Sequence, residues 1–248
     1  KYAWRTGDEY GFIKTSWLYN LKEYPCTVEV LDGFQNLLPA NTTASVQKNL
    51  RCLLDAYKRS ELDPETGLAI FALNAALTDQ PEPSESLQAT IAWQVGLDSS
   101  GYLLSSTQLD RFRTGMKIET ESEVRGKRGA YFVHASFELA PGAVRNWHLV
   151  TDIGHDGATI VRLMNKIGQN RSLLSAAILQ DIATNDETLE KIVTSADGRQ
   201  LTQESLRTTR HMSNVLFNAM RGGTFEVQYS LRTQDFNQFL VKRNRVLA

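Results

Sequence analysis

Residues 89–97, Ala-Thr-Ile-Ala-Trp-Gln-Val-Gly-Leu, place a large apolar side chain at nearly every second position. This period of two is typical of a β-strand with one face in a core. Residues 131–139 repeat the pattern. Between them, a Ser-Ser-Gly turn at residues 99–101 leads into residues 102–104, which predicts a hairpin. Residues 67–77 are apolar on both alternating faces, as expected for a central strand that is covered on both sides.

Helical periodicity appears in two places. Residues 46–57 form one amphipathic stripe, with Thr42 or Thr43 as the N-cap, and this helix should stop near Pro64. Beyond residue 154 the pattern predicts a helix over residues 160–167 and a longer helix over residues 174–193. It also predicts a third helix, which begins at Thr202 as its N-cap and ends at Gly222-Gly223.

The sequence therefore predicts a mainly β fold with helices. Residues 1–153 should form an antiparallel β-sandwich portion of the supersandwich type. Residues 154–248 should form a helical linker segment with a C-terminal extended tail.

Composition excludes several classes of function. Apolar residues make up 42% of the chain, which indicates a protein with a packed core. The formal net charge of −1 gives no positive electrostatic potential that would attract nucleic acid. No apolar run is long enough to cross a membrane. Two cysteines without metal spacing allow either a disulfide or two buried free thiols in a reducing compartment, and the second interpretation is favoured. Four dispersed histidines predict no metal site, and no cofactor motif is present.

The segment Val-Leu-Asp-Gly-Phe-Gln-Asn-Leu-Leu-Pro-Ala-Asn, residues 30–41, joins a strand to a turn rich in amide and carboxylate groups. Such groups pair with vicinal hydroxyls, and an aromatic ring covers the apolar face of a sugar. The candidate substrate-binding residues here are Asp32, Gln35, Asn36 and Asn41, with Phe34 as the aromatic. The alternative is that these side chains only satisfy the backbone of the turn.

A second candidate is the basic segment Arg125-Gly126-Lys127-Arg128-Gly129. Guanidinium groups bind phosphate with two parallel hydrogen bonds, so Arg125 and Arg128 are candidate phosphate ligands. A solvated charge cluster paired with Glu119, Glu121 and Glu123 is the alternative. No catalytic residue is assigned.

Five colinear stretches carry a resemblance to a known family: residues 30–41, 56–62, 82–85, 124–132 and 217–223. The sequences of these stretches resemble the region before the catalytic barrel in 1,2-β-oligoglucan phosphorylases, which are relatives of cellobiose phosphorylase. The resemblance runs from about Tyr10 to Gln238. It implies a large β-sandwich, a linker over residues 155–222, and a following (α/α)6 barrel.

The resemblance also implies a function for the parent enzyme. Enzymes of this family cleave a β-glucosidic bond with inorganic phosphate and inversion, and their general acid belongs to the barrel. This chain is then the noncatalytic β-sandwich and linker portion of a cytoplasmic glycoside phosphorylase, a glycosyltransferase-type enzyme that acts on β-1,2-glucooligosaccharides. Alone it should be inactive, and it should begin inside the sandwich. Expected partners are the β-glucan oligosaccharide, phosphate and the barrel, with a homodimer as one assembly, and neither nucleic acid nor a membrane.

Two other functions stay open from the sequence. The chain could be a free-standing carbohydrate-binding or interaction module. It could also be a mutarotase-like enzyme, which requires a carboxylate and a histidine on facing strands. No local pattern in the sequence shows that pair.

Overall fold

The computed structural model describes residues 1–75, 86–223 and 232–243. Within them the fold is mixed α/β, with antiparallel sheets of seven and three strands and seven helices. Helices contribute at least as much of the chain as strands do, so mixed α/β describes it better than mainly β. The chain forms two compact units, residues 1–182 and 183–248.

The seven-stranded sheet has the order β1-β2-β10-β6-β5-β4-β8. Its strands are β1 (Tyr2–Gly7), β2 (Gly11–Tyr19), β4 (Lys58–Leu62), β5 (Ala69–Leu73), β6 (Ala89–Val95), β8 (Glu123–Arg125) and β10 (Val144–His155). The three-stranded sheet has the order β3-β9-β7, with β3 (Cys26–Leu37), β7 (Gly101–Leu103) and β9 (Gly129–Leu139).

One core lies between the two sheets. Phe71 and Leu149 of the larger sheet and Tyr131 and Val133 of the smaller one belong to the same buried cluster. The other face of the larger sheet is covered by helix α4 (Gly157–Gln169) and by the part of helix α5 (Arg171–Ser195) that ends at Ile182. The first unit therefore has three layers: the small sheet, the large sheet and the helices.

The central strands confirm one prediction and correct two. Strand β5 is covered on both faces, as its double apolar pattern predicts. Strand β6 is buried along its whole length, although its alternation predicts a single buried face. The predicted hairpin at residues 99–101 is wrong because β6 and β7 belong to different sheets. Alternation shows that a strand has two faces, but not which strand it pairs with.

The first helical region is confirmed at its start. The Thr43 hydroxyl accepts a hydrogen bond from the backbone N–H of Val46, so Thr43 is the N-cap of α1 (Ala44–Asn49). Helix α2 (Arg51–Tyr57) follows after Leu50 and ends well before Pro64. The predicted continuation to residue 62 is wrong because pairing with β5 and β8 makes residues 58–62 a strand.

The short helix α3 (Leu109–Arg113) and strand β8 lie between β7 and β9. Strand β10 continues to His155, and the expected boundary after residue 153 stays a prediction. Helix α5 is continuous from Arg171 to Ser195.

In the second unit, helix α6 (Ser205–Gly222) begins after Glu204 and ends at Gly223, which has a φ of 78°. The prediction of a glycine stop is confirmed, but Glu204 replaces Thr202 as the N-cap. The side chains of Val193 and Val215 crowd Gly198, where a Cβ would lie 2.3 Å from Val193 Cγ1. Helix α7 (Thr233–Arg243) occupies part of the stretch expected to be an extended tail.

Among the residues that the structure describes, no helix is long and apolar enough to cross a membrane. Both cysteines are free; Cys52 is exposed and Cys26 is only partly buried, so the expectation of two buried thiols is wrong. Helix α2 turns Leu54, rather than Cys52, into the core.

Candidate functional site

The candidate residues of the amide-rich segment separate into different environments. Asp32 points from β3 toward the larger sheet. Its Oδ2 accepts hydrogen bonds from Ser16 Oγ at 2.9 Å and from Trp147 Nε1 at 2.8 Å, and its Oδ1 forms an ion pair with Lys14. The carboxylate is therefore occupied by donors from β2 and β10, and it joins the two sheets.

Gln35 and Asn36 lie at the end of β3 and are exposed. Because alternate residues of a strand face opposite sides, Gln35 lies on the face opposite Asp32 and Phe34. The pairing of β3 with β9 shifts between Gln35 and Leu37, which leaves Asn36 as an inserted residue with a φ of 59°. Such a bulge redirects a side chain, and Asn tolerates this left-handed conformation better than most residues.

The strand register brings the amides to the basic segment. Gln35 pairs with Ala130 and Leu37 pairs with Gly129, which directly follows Arg128 in the chain. Gln35, Asn36 and Arg128, which we call the rim, thus gather at one end of the three-stranded sheet. They are about 90 residues apart in the sequence, and antiparallel pairing alone unites them.

Arg125 belongs to β8 of the larger sheet and is already paired. Its Nε donates to Glu123 Oε1 at 2.6 Å, and Arg59 Nε donates to the same oxygen at 3.0 Å. The hydrogen bond from Arg125 is the main reason why the pKa of Glu123 lies below its usual value. The charge-cluster interpretation describes Arg125, which is paired with Glu123, and the side chains of Arg125, Lys127 and Arg128 are all exposed.

Asn41 lies outside the rim. It has a φ of 63°, and its Nδ2 donates to Gln88 Oε1 at 3.2 Å. It lines a shallow hollow together with Thr43, Thr90 and Gly154. The register that gathers the rim does not include it.

The expected aromatic residue, Phe34, faces the side of β3 opposite Gln35. Phe34 is buried between the sheets, whereas Trp4 of β1 is more than half exposed. The two rings are in contact, with centroids 5.5 Å apart.

The four histidines form no metal site. In the described ranges, no group of three or more His, Cys, Asp or Glu side chains could hold a metal ion. His148 is buried between Thr15 Oγ1, at 2.9 Å from its Nδ1, and Ser175 Oγ, at 3.2 Å from its Nε2. Burial, followed by the charge of Arg5, lowers the pKa of His148, so the ring is held neutral and has a structural role.

A cleft that the sequence did not predict lies between α4 and the larger sheet. It has a volume of about 190 Å³. Its walls are apolar and ionisable side chains from four separate segments: Glu9, Tyr10, Ile91, Trp93, Asp152, His155, Thr159, Arg162, Leu163 and Lys166. The one local signal is the Asp-x-x-His spacing of Asp152 and His155, at the point where β10 ends and α4 begins.

Comparisons of the chain with protein-family models and with curated proteins found no match.

Proposed function

We propose that this chain is the noncatalytic β-sandwich and linker portion of a cytoplasmic, inverting glycoside phosphorylase that acts on β-1,2-glucooligosaccharides with inorganic phosphate. In this proposal the two sheets that share a core are the sandwich, and the helices from α4 onward are the linker. The rim is the surface that the portion turns toward the substrate of the parent enzyme.

The observation that carries the proposal is the β3–β9 register. It brings the backbone of Gln35 and Asn36 to the end of β9 that directly follows Arg128 in the chain. Amides suit neutral hydroxyls, and a guanidinium suits phosphate, so the rim matches both substrates of phosphorolysis. Bulges and loops at the end of a rigid sheet are common positions for binding groups.

Asp32 has a supporting role in this proposal. Its carboxylate fixes β3 to β2 and β10, and β3 carries the rim three residues later. A binding surface keeps its geometry when packing and hydrogen bonds hold its supporting strand. Asp32 therefore positions the rim, and direct contact with substrate falls to Gln35, Asn36 and Arg128.

Binding of β-1,2-glucooligosaccharides to the purified chain tests the proposal. The variant is Gln35→Ala combined with Asn36→Gly, because glycine preserves the left-handed backbone at residue 36. Two lost hydrogen bonds contribute roughly 1–3 kcal/mol, so titration calorimetry should show affinity about 5- to 150-fold weaker. The matched control is Asn165→Ala with Gln169→Ala, two exposed amides of α4.

Three results would contradict the proposal. The first is glucan binding that the rim variant leaves unchanged. The second is equal weakening by the rim variant and by the α4 control. The third is release of sugar phosphate by the purified chain at a rate proportional to its concentration, since the portion proposed here holds no general acid.

A further inference from the structure

The three-stranded sheet is too narrow to cover the seven-stranded sheet on which it packs. Strand β3 is the last strand of the smaller sheet, and its Asp32 bonds to Ser16 of β2 and Trp147 of β10, so β3 lies over these two strands. Strand β1 is the last strand of the larger sheet, one strand farther out than β2. The inner face of β1, which is the face turned toward the smaller sheet, therefore projects beyond β3.

The projecting inner face carries exposed aromatic side chains, which we call the aromatic row: Tyr2, Trp4 and Phe12. They are 65%, 56% and 54% exposed. Directly paired residues of two strands share a face, and Trp4 pairs with Lys14. Because Lys14 forms an ion pair with Asp32 of β3, this shared face is the inner one. Tyr2 and Phe12 lie on it as well, since each is two residues away from a member of that pair.

The surroundings of the aromatic row are largely apolar. The ammonium of Lys14 is already neutralised by Asp32 and lies 5.4 Å from the centre of the Tyr2 ring. On the side of β3, the Trp4 ring contacts Phe34. Exposed apolar patches of this kind mark surfaces that another molecule covers.

Both sheets also end in an unpaired strand edge on this side of the fold. Within the residues that the structure describes, no strand pairs with the edge of β3 that faces away from β9. The same is true of residues 2–5 of β1 on the edge that faces away from β2. An unpaired edge beside an uncovered apolar face is suited to a further strand, which supplies backbone hydrogen bonds and apolar side chains together.

The chain itself contains a strand with these properties, which is β1. A rotation of 180° about an axis parallel to the strands places β1 of a second copy beside β3 of the first, and β1 of the first beside β3 of the second. This rotation preserves strand direction. Strand β3 runs antiparallel to β2, as β1 does, because it starts where β2 ends: Cys26 Sγ lies 3.8 Å from Asn20 Oδ1. Each new strand pair is therefore parallel.

The same rotation places the two aromatic rows opposite each other. A strand that extends the smaller sheet lies about 10 Å above the larger sheet, a distance that two facing layers of side chains fill. Trp4 then faces Trp4 of the second copy, in contact between aromatic rings. The projecting β1 of each copy enters the recess beside β3 of the other. Joining β3 to β3 instead would bring the two projecting β1 strands into collision.

We propose that this side of the fold binds a second copy of the chain. In the dimer, β1 of each copy extends the three-stranded sheet of the other, and the two aromatic rows pack face to face. The inference does not rest on the proposed function, because a folded monomer carries the rim equally well. Either can fail alone.

Sedimentation velocity of the whole chain tests the proposal. We expect a dimer with a Kd on the order of 1–10 µM. Trp4→Lys places two ammonium groups against each other in the contact and should weaken the dimer at least about 50-fold. Tyr24→Lys is the matched control, because Tyr24 is 58% exposed but lies outside the aromatic row, and it should dimerise like the wild type. If Trp4→Lys does not fold, Tyr2→Lys at the most exposed member of the row replaces it.

Cross-linking tests the geometry of the contact. In a background of Cys26→Ser and Cys52→Ser, Tyr2→Cys should be joined into covalent dimers by a short bis-maleimide, whereas Tyr24→Cys should not. A wild-type chain that is still monomeric at about 100 µM contradicts the proposal and leaves the row to a different partner. A dimer that the folded lysine variants leave unchanged, or equal cross-linking at residues 2 and 24, also contradicts it.

Discussion

The indole Nε1 of Trp147 donates a hydrogen bond of 2.8 Å to Asp32 Oδ2, and this bond crosses from one β-sheet to the other. The same carboxylate holds Ser16 and the ammonium of Lys14, whose side chain is 13% exposed. A carboxylate in this position is difficult to replace, because its loss leaves a nearly buried cation and an indole N–H without their partner.

Asp32→Ala should therefore destabilise the chain by about 3 kcal/mol in urea unfolding. Thr27→Ala, at an exposed position of the same strand, is the control and should change stability by no more than about 0.5 kcal/mol. If Asp32→Ala is as stable as the control, the inter-sheet network contributes little. Asp32 would then be free to serve a ligand directly.

His148 predicts a pH dependence of stability. Its pKa is lowered from 6.5 in the folded protein by burial and by Arg5, so the unfolded chain binds a proton more readily. The contribution of the neutral ring is complete above pH 6.5 and is lost as the pH falls below that value toward the folded pKa. His148→Gln should flatten this part of the stability profile between about pH 7 and pH 5.

Thermal unfolding at closely spaced pH values measures this effect. His211 is the control position: its Nε2 lies 2.8 Å from the backbone oxygen of Asp197 in the second unit. His211→Gln should retain the acid-side loss of stability seen in the wild type. If the stability of His148→Gln falls with pH in parallel with the wild type, the buried imidazole is not the source of the acid-side loss of stability.

Helix α5 offers a matched pair of adjacent positions. Ile178 is fully buried against the larger sheet, whereas Leu179 is 45% exposed. Ile178→Asp should cost more than about 4 kcal/mol, because it buries a carboxylate and loses apolar contacts. Leu179→Asp should cost less than about 1 kcal/mol. Circular dichroism and solubility measure both, and similar small effects would mean that the helix does not pack on the sheet.

Periodicity predicted the strands and helices well, but not their partners. Residues 131–139 and 160–167 form the expected elements, since burial of one face imposes the period. Residues 58–62, Lys-Arg-Ser-Glu-Leu, are good helix formers that become strand β4 through contacts distant in the sequence. The choice between a hairpin and a crossing to another sheet at residues 99–101 depends on the same distant contacts.

The two candidate sites differ in how far the sequence could predict them. The rim residues lie in two segments that composition and resemblance both select, although pairing alone shows that they meet. The cleft is lined by residues from four separate segments of the chain. None of its polar residues stands out in its own local sequence. Only the folded chain shows that Tyr10 and Lys166 are in contact across 156 residues of sequence.

Helix α5 also forms hydrogen bonds with the turn between β1 and β2. The Asp181 carboxylate accepts hydrogen bonds from the backbone N–H groups of Asp8, Glu9 and Tyr10. It lies so close to Gly7 that a Cβ there would be 1.9 Å from Asp181 Oδ2. During synthesis, the first turn of the chain cannot reach its final state until residue 181 has left the ribosome. In a nascent chain that ends before residue 181, the three N–H groups of the β1–β2 turn lack the acceptor that they have in the folded chain.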